Sequence, residues 1–163
     1  MKLNSPAETN FKVNKGLSGL LPLQINPLLT NNLNDMEYYI SKKVNIKFDE
    51  AIARVTETLK IEGFGVLTTI ETDKVLKEKL GVDFPRYTIL GSCNPSYAYE
   101  ALQSEDKIGL MLPCNVIVRQ LENDTVEVSA INPVVVMQPV ENENLNDLME
   151  EVLIRLTKAI NLI

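Results

Sequence analysis

The fold is decided by residues 86–121, which read RYTILGSCNPSYAYEALQSEDKIGLMLPCNVIVRQL. This stretch contains the two cysteines of the chain, and an asparagine follows each of them, in Cys93-Asn94 and Cys114-Asn115. Each Cys-Asn pair stands where an apolar run meets residues that are typical of turns. The chain has no histidine and no tryptophan, and therefore has few reactive side chains. Any thiol chemistry in this protein must come from these two cysteines.

The segments around the two pairs predict strands on both sides of a helix. Pro95 follows Asn94, and this order marks a helix start, because asparagine caps the N-terminus and proline has the backbone angle of a first turn. The apolar runs 86–92 and 116–121 predict strands, and we expect a further strand at 108–112.

Outside this stretch, hydrophobic spacing predicts two long helices and a short one. The first long helix has apolar residues at Phe48, Ala51, Ile52, Val55 and Leu59, and Gly63 as its stop. The second has apolar residues at Leu145, Leu148, Met149, Val152, Leu153, Leu156 and Ile160. The short helix is expected to have Thr72 as its cap, to turn Val75, Leu76 and Leu80 inward, and to end at Gly81.

The remaining strands are predicted at 37–44, 64–70 and 125–131, with a tight connection at Asn123-Asp124. These elements predict an α+β fold for residues 36–163. We expect a two-layer sandwich, in which a mostly antiparallel sheet is covered on one face by the two long helices and short helices are inserted between the strands.

Residues 1–35 show no sustained period of a helix or a strand, and we interpret them as an irregular N-terminal extension. Seven aliphatic residues fall between positions 17 and 29. Because free disordered tails are poor in such residues, docking on the rest of the chain or on a partner is favoured. An arm that exchanges between subunits is a further hypothesis.

Charge and composition exclude several classes of protein. The formal net charge of −6 argues against a general binder of nucleic acid or of anionic membranes, since both need a basic surface. Two cysteines are too few for a disulfide framework, which predicts a reducing, cytoplasmic setting. No apolar stretch reaches the roughly 18 residues that span a bilayer. Pro22 and Pro27 interrupt the leucine-rich segment, and a signal peptide is not expected.

The segments 91–95 and 108–116, which contain the two Cys-Asn pairs, resemble the signature of the domain-of-unknown-function 302 family. The resemblance extends over residues 36–163. It implies a small two-layer α/β domain similar to the TATA-box-binding-protein-like fold, a homodimer, and no settled biochemical activity. The likeness in fold does not imply DNA binding, since the net charge of this chain has the wrong sign.

The candidate ligand-binding residues are Cys93, Asn94, Tyr97, Cys114 and Asn115. Cys93 precedes a predicted helix N-terminus, and the helix dipole there is expected to lower the pKa of the thiol. If the two strands are neighbours, the thiols can approach within the roughly 7 Å between Cα atoms that a disulfide needs. We expect a groove at these residues, which takes a small molecule or a protein partner in a non-enzymatic homodimer.

Three interpretations of the thiols remain open at this point. Free cysteine is among the most buried residue types, so both thiols can simply pack in the core. They can instead form a redox pair or hold a soft metal or a haem iron, and the sequence identifies no particular metal or cofactor. Nucleophilic catalysis ranks last, because no histidine is available as a base.

Overall fold

The computed structural model describes residues 37–163 of the chain. Its strands are β1 (Tyr39–Val44), β2 (Gly65–Glu71), β3 (Tyr87–Cys93), β4 (Cys114–Gln120) and β5 (Val126–Ile131). Its helices are α1 (Phe48–Ile61), α2 (Thr72–Leu80), α3 (Pro95–Ser104), α4 (Pro133–Val136) and α5 (Asn146–Asn161). Short 3-10 helices lie at Ile108–Met111, Gln138–Val140 and Glu143–Leu145.

The five strands form one antiparallel sheet in the order β1-β5-β4-β3-β2. The predicted connection between β4 and β5 is present, and φ is +58° at Asn123 and +56° at Asp124. Because β3 and β4 are antiparallel neighbours, the end of β3 lies beside the start of β4. Ser92 is directly opposite Cys114 in this pairing. The topology therefore brings the two Cys-Asn pairs to the same end of the sheet.

The main hydrophobic core lies between one face of the sheet and the helices α1 and α5. From α1, Val55 and Leu59 are fully buried at the spacing that the sequence predicted. Gly63 follows α1 with φ of +86°, a left-handed angle that glycine adopts without the strain of a Cβ atom. Leu156 of α5 and Val118 of β4 belong to the same cluster. The predicted α+β fold is thus confirmed.

The opposite face of the sheet, which we call the open face, carries a row of isoleucines. In the strand register Ile70 is opposite Ile89, and Ile89 is opposite Ile117. Ile89 and Ile117 are half-buried, and Ile70 is 47% exposed. In the next row, Arg119 is opposite Glu127 and donates a hydrogen bond to its carboxylate. The open face is therefore apolar at its centre and carries charges of both signs beside it.

The prediction of a strand at 108–112 is wrong, because these residues form the 3-10 helix Ile108–Met111 and the residue after it. Ile108 is buried, whereas Leu110 is 86% exposed. β4 already lies between β3 and β5, so the centre of the sheet has no place for another strand. Local apolar content does not distinguish a strand from a short helix that buries a single side chain.

The short helix α2 was located correctly, but its predicted cap and inner face are wrong. Glu71 occupies the N-cap position, and Thr72 is already the first helical residue. Of the three residues predicted to turn inward, Leu76 is half-buried, whereas Val75 is 45% and Leu80 67% exposed, and α2 has no buried residue. Gly81 ends the helix as predicted, with a left-handed φ of +71°.

The interpretations of residues 1–35 as an extension, a docked segment or an exchanged arm lie outside the described residues. Within residues 37–163, no helix combines the length and the apolar content that crossing a membrane requires.

Candidate functional site

Cys93 and Cys114 are held near each other by the pairing of two strand ends. Cys93 is the last residue of β3 and Cys114 the first of β4. The hydroxyl of Ser92 donates a hydrogen bond of 3.0 Å to the carbonyl oxygen of Cys114, and this bond fixes the junction. Both cysteines are free thiols, Cys114 buried and Cys93 half-buried.

Asn94 begins α3 as the sequence predicted. Its side-chain Oδ1 accepts hydrogen bonds from the backbone N–H groups of Ser96 at 3.1 Å and Tyr97 at 3.4 Å, and Pro95 occupies the first turn. The cap therefore fixes the direction in which α3 leaves the sheet. One turn into α3, the hydroxyl of Tyr97 donates a 3.2 Å hydrogen bond to Glu151 of α5.

A small cavity lies where the end of β3 and the start of β4 meet α3 and α5. Its volume is about 20 Å³. Four of the five predicted ligand-binding residues line it, namely Cys93, Asn94, Tyr97 and Cys114. Asn115 does not, because successive side chains of a strand point to opposite faces and the exposed Asn115 lies on the open face. The first Cys-Asn pair thus lines the cavity with both of its residues, and the second pair with Cys114 only.

Two methionines also line the cavity, which the sequence did not predict. Besides the two cysteines, Met137 and Met149 line it, and both methionines are buried. Met149 belongs to the predicted apolar face of the last helix, but this pattern does not say which cavity the side chain reaches. Met137 follows α4 in the chain, and no local signal connects it to residues 93–114.

Burial raises the pKa of both thiols. The pKa of Cys93 lies above its ordinary value because the thiol is partly removed from water. The pKa of Cys114 rises from 9.0 to about 11, first through burial and then through the nearby Cys93. The pKa of Cys93 thus shifts in the direction opposite to the one expected from the helix dipole, and burial is the cause. At neutral pH both thiols are protonated.

A second, larger pocket opens on the other side of the two methionines. It has a volume of about 420 Å³. Its apolar wall is made of Val134, Met137, Leu145 and Met149. Three carboxylates also line this pocket, from Glu141, Glu143 and Glu150. Met137 and Met149 are shared with the small cavity, so they form the partition between the two spaces.

The acid–base side chains do not form a metal cluster in the described part of the chain. Residues 37–163 contain no group of three or more histidine, cysteine, aspartate and glutamate side chains that is arranged to hold a metal ion. A metal site here would therefore need ligands of another type, such as thioethers.

Comparisons with known proteins place the chain in a family. The family model described as "Domain of unknown function DUF302" matches residues 40–163. A solved structure described as "uncharacterized conserved protein DUF302 from Bacillus stearothermophilus" superimposes with a TM-score of 0.72 at 31% sequence identity. That match covers 77% of this chain and 98% of the Bacillus chain. No curated protein matches. The chain belongs to the DUF302 family, whose function is unknown.

Proposed function

We propose that this domain is a non-enzymatic binding protein, and that its small ligand occupies the 420 Å³ pocket beside the cysteine cavity. The volume of the pocket carries the proposal, because it falls within the roughly 300–1,000 Å³ typical of small-molecule sites. The pocket combines an apolar wall with polar groups at its edge, as such sites do. Catalysis is disfavoured, because burial keeps the thiols protonated and the chain has no histidine to serve as a base.

The charges at the pocket favour a cationic ligand with an apolar part. Glu141, Glu143 and Glu150 line it, and none of them belongs to a salt bridge among the described residues. An organic ammonium ion would place its charge near these carboxylates and its hydrocarbon against Leu145 and Met149.

The test is a titration with octyltrimethylammonium and, as its anionic counterpart, octanoate. We expect only the cation to shift the NMR signals of residues that line the pocket. Replacing Glu150 by glutamine should weaken binding about two- to fivefold, the effect of one partly exposed charge pair. Glu57→Gln, an exposed change on α1, is the matched control. Equal shifts by both probes, or by neither, would reject the proposal.

We also propose that the domain is a homodimer that pairs through the open face. The supporting observations are the row of Ile70, Ile89 and Ile117 and the presence of both signs of charge beside it. Two copies of this surface would therefore bury apolar area without repelling each other. A two-layer fold leaves this face available, and neither buried hydrophobic cluster of the described residues lies on it.

Light scattering after size exclusion measures the mass in solution. We expect the wild-type chain at twice the mass of one chain and Ile117→Lys at the mass of one. Leu110→Lys is the matched control, because Leu110 is 86% exposed and lies off the sheet. A dimer that survives Ile117→Lys would show that another surface joins the subunits.

A thiol function of Cys93 and Cys114 is the second candidate, since strand pairing brings the two cysteines to one cavity. The raised pKa values disfavour a redox pair, because the thiolate is the attacking species in disulfide exchange. A haem does not fit into about 20 Å³. Binding of a bare metal ion is the thiol function that remains.

A further inference from the structure

We propose that the small cavity at the end of the sheet is a site for one Cu(I) ion, held by the sulfur atoms of Cys93, Met137 and Met149 beside the protonated thiol of Cys114. All four residues line the same cavity of about 20 Å³, which is near the space that a single water molecule or bare ion needs. These four residues are the two cysteines of the chain and two of its five methionines. This proposal does not depend on the organic ligand proposed for the larger pocket.

The chemistry of the lining selects a soft ion. Thiolate and thioether sulfur are the ligands that Cu(I) prefers, whereas Mg²⁺, Ca²⁺ and Mn²⁺ prefer oxygen. No carboxylate lines the cavity, and its other walls are mainly apolar, with Phe64, Ala101 and Val152 among them. Zinc is disfavoured as well, since structural zinc sites use only cysteine, histidine and carboxylate ligands and the cavity supplies two of these.

The balance of charge also favours a monovalent ion. When Cu⁺ binds, the thiol of Cys93 releases its proton to water and the resulting thiolate forms a Cu–S bond, while the two thioethers donate as neutral ligands. Cys114 keeps its proton and does not coordinate the ion. The copper remains Cu(I), no group is oxidised or reduced, and the bound unit is neutral. Neutrality matters because an unpaired charge in an apolar cavity is strongly disfavoured. Cys93 is the donor of the proton, since it is the more exposed of the two thiols.

The larger pocket supplies a route for the ion. Carboxylates of Glu141, Glu143 and Glu150 raise the local concentration of cations at its surface. Met137 and Met149 line both spaces, whereas the two cysteines line only the small cavity, so an ion in the larger pocket meets the methionines before the cysteines. This order of ligands, from carboxylate to thioether to thiol, becomes softer with depth.

The experiment is a competition for Cu(I) between the reduced full-length chain and bathocuproine disulfonate without oxygen. We expect the wild type to withdraw one Cu(I) per chain and Zn²⁺ not to displace it. The variant with both Met137→Leu and Met149→Leu should bind Cu(I) about tenfold more weakly or worse, on the scale of damaged metal sites. Leucine for methionine conserves volume, so this variant should fold.

Met111→Leu is the matched control, since Met111 is 37% exposed and does not line the cavity. It should bind Cu(I) as the wild type does, and Cys93→Ser should lose binding. If the double leucine variant and the wild type bind equally, or if one ion is shared by two chains, the proposal is wrong. The octyltrimethylammonium titration tests the larger pocket through Glu150 and uses no copper. The copper proposal and the proposal of an organic cation can therefore fail independently of each other.

Discussion

Gly91 shows at the scale of a single residue how closely the strands near the cysteines approach each other. A Cβ atom at this position would overlap Oγ1 of Thr68 and lie 2.8 Å from Cγ of Pro113. We predict that Gly91→Ala lowers the free energy of unfolding by about 1–3 kcal/mol, as overpacking does, because a proline ring cannot move aside easily. Urea unfolding measures it.

The control for Gly91 is Gly109→Ala, since a Cβ atom at Gly109 meets no atom within 4 Å and its φ is not left-handed. Alanine at position 109 gives the unfolded chain less entropy than glycine does. The free energy of unfolding should therefore stay equal to that of the wild type or rise by about 0.4–1 kcal/mol. Similar losses in both variants would show that the crowding at Gly91 is not the cause.

Cys114 makes stability depend on pH in the alkaline range. Its pKa is about 11 in the folded chain and near its ordinary 9.0 when unfolded. Below pH 9 both states hold the proton. Between pH 9 and 11 only the unfolded state loses it, so stability falls as pH rises, by about 2 kcal/mol across this window.

The measurement is the free energy of unfolding of the wild type minus that of Cys114→Val at several values of pH. Other groups that titrate in this range cancel in the difference, and valine conserves the apolar character of the site. A difference that stays constant from pH 8 to 11 would contradict the buried, protonated thiol.

At the scale of elements, the turn between β4 and β5 is strained at a position that glycine would relieve. Asp124 has φ of +56°, which is costly for a residue with a Cβ atom. A two-residue hairpin turn of this type prefers glycine at its second position. We predict that Asp124→Gly raises the free energy of unfolding by about 0.5–1 kcal/mol, as measured by urea unfolding.

Asp106→Gly is the matched control, because Asp106 also lies in a turn but has no left-handed φ. It should lower stability by about 0.4–1 kcal/mol, since glycine adds entropy to the unfolded chain. If the two substitutions act in the same direction, backbone strain at Asp124 is not what limits the hairpin.

Elements with complete local signals were predicted well from the sequence. Asn94-Pro95 fixed the start of α3, because a cap and a first turn need only neighbouring residues. The periodicity of α1 and α5 identified their buried faces for the same reason. The segment 108–112 was mistaken for a strand, because its structure is decided by the sheet that excludes it rather than by its own residues.

At the scale of the whole molecule, the candidate site could be predicted only in part. The sequence brings Cys93 and Cys114 together only if β3 pairs with β4, and the cavity that both cysteines line depends on this pairing. Met137 and Phe64 reach the cavity from distant parts of the chain, and no spacing in the sequence indicates such contacts. The pKa of Cys93 was misjudged, because the helix dipole can be read from a sequence and the degree of burial cannot.

The side chain of Lys42 links the first strand to the end of the last helix. Nζ of Lys42 in β1 donates hydrogen bonds of 2.7 Å to the backbone oxygens of Asn161 and of Ile163. A cation at the C-terminal end of a helix is also favoured by the helix dipole. We predict that Lys42→Met lowers the free energy of unfolding by about 1–2 kcal/mol, because the hydrogen bonds to a charged donor are lost.

Lys43→Met is the matched control, since Lys43 is the next residue of the same strand and is exposed on the open face. It removes the same charge and adds the same side chain, so it should change stability by less than about 0.5 kcal/mol. Urea unfolding of both variants separates the two effects. If Lys43→Met costs as much as Lys42→Met, the loss of one positive charge explains the result. A larger loss in Lys42→Met alone would show that contact between the two ends of the domain stabilises the whole fold.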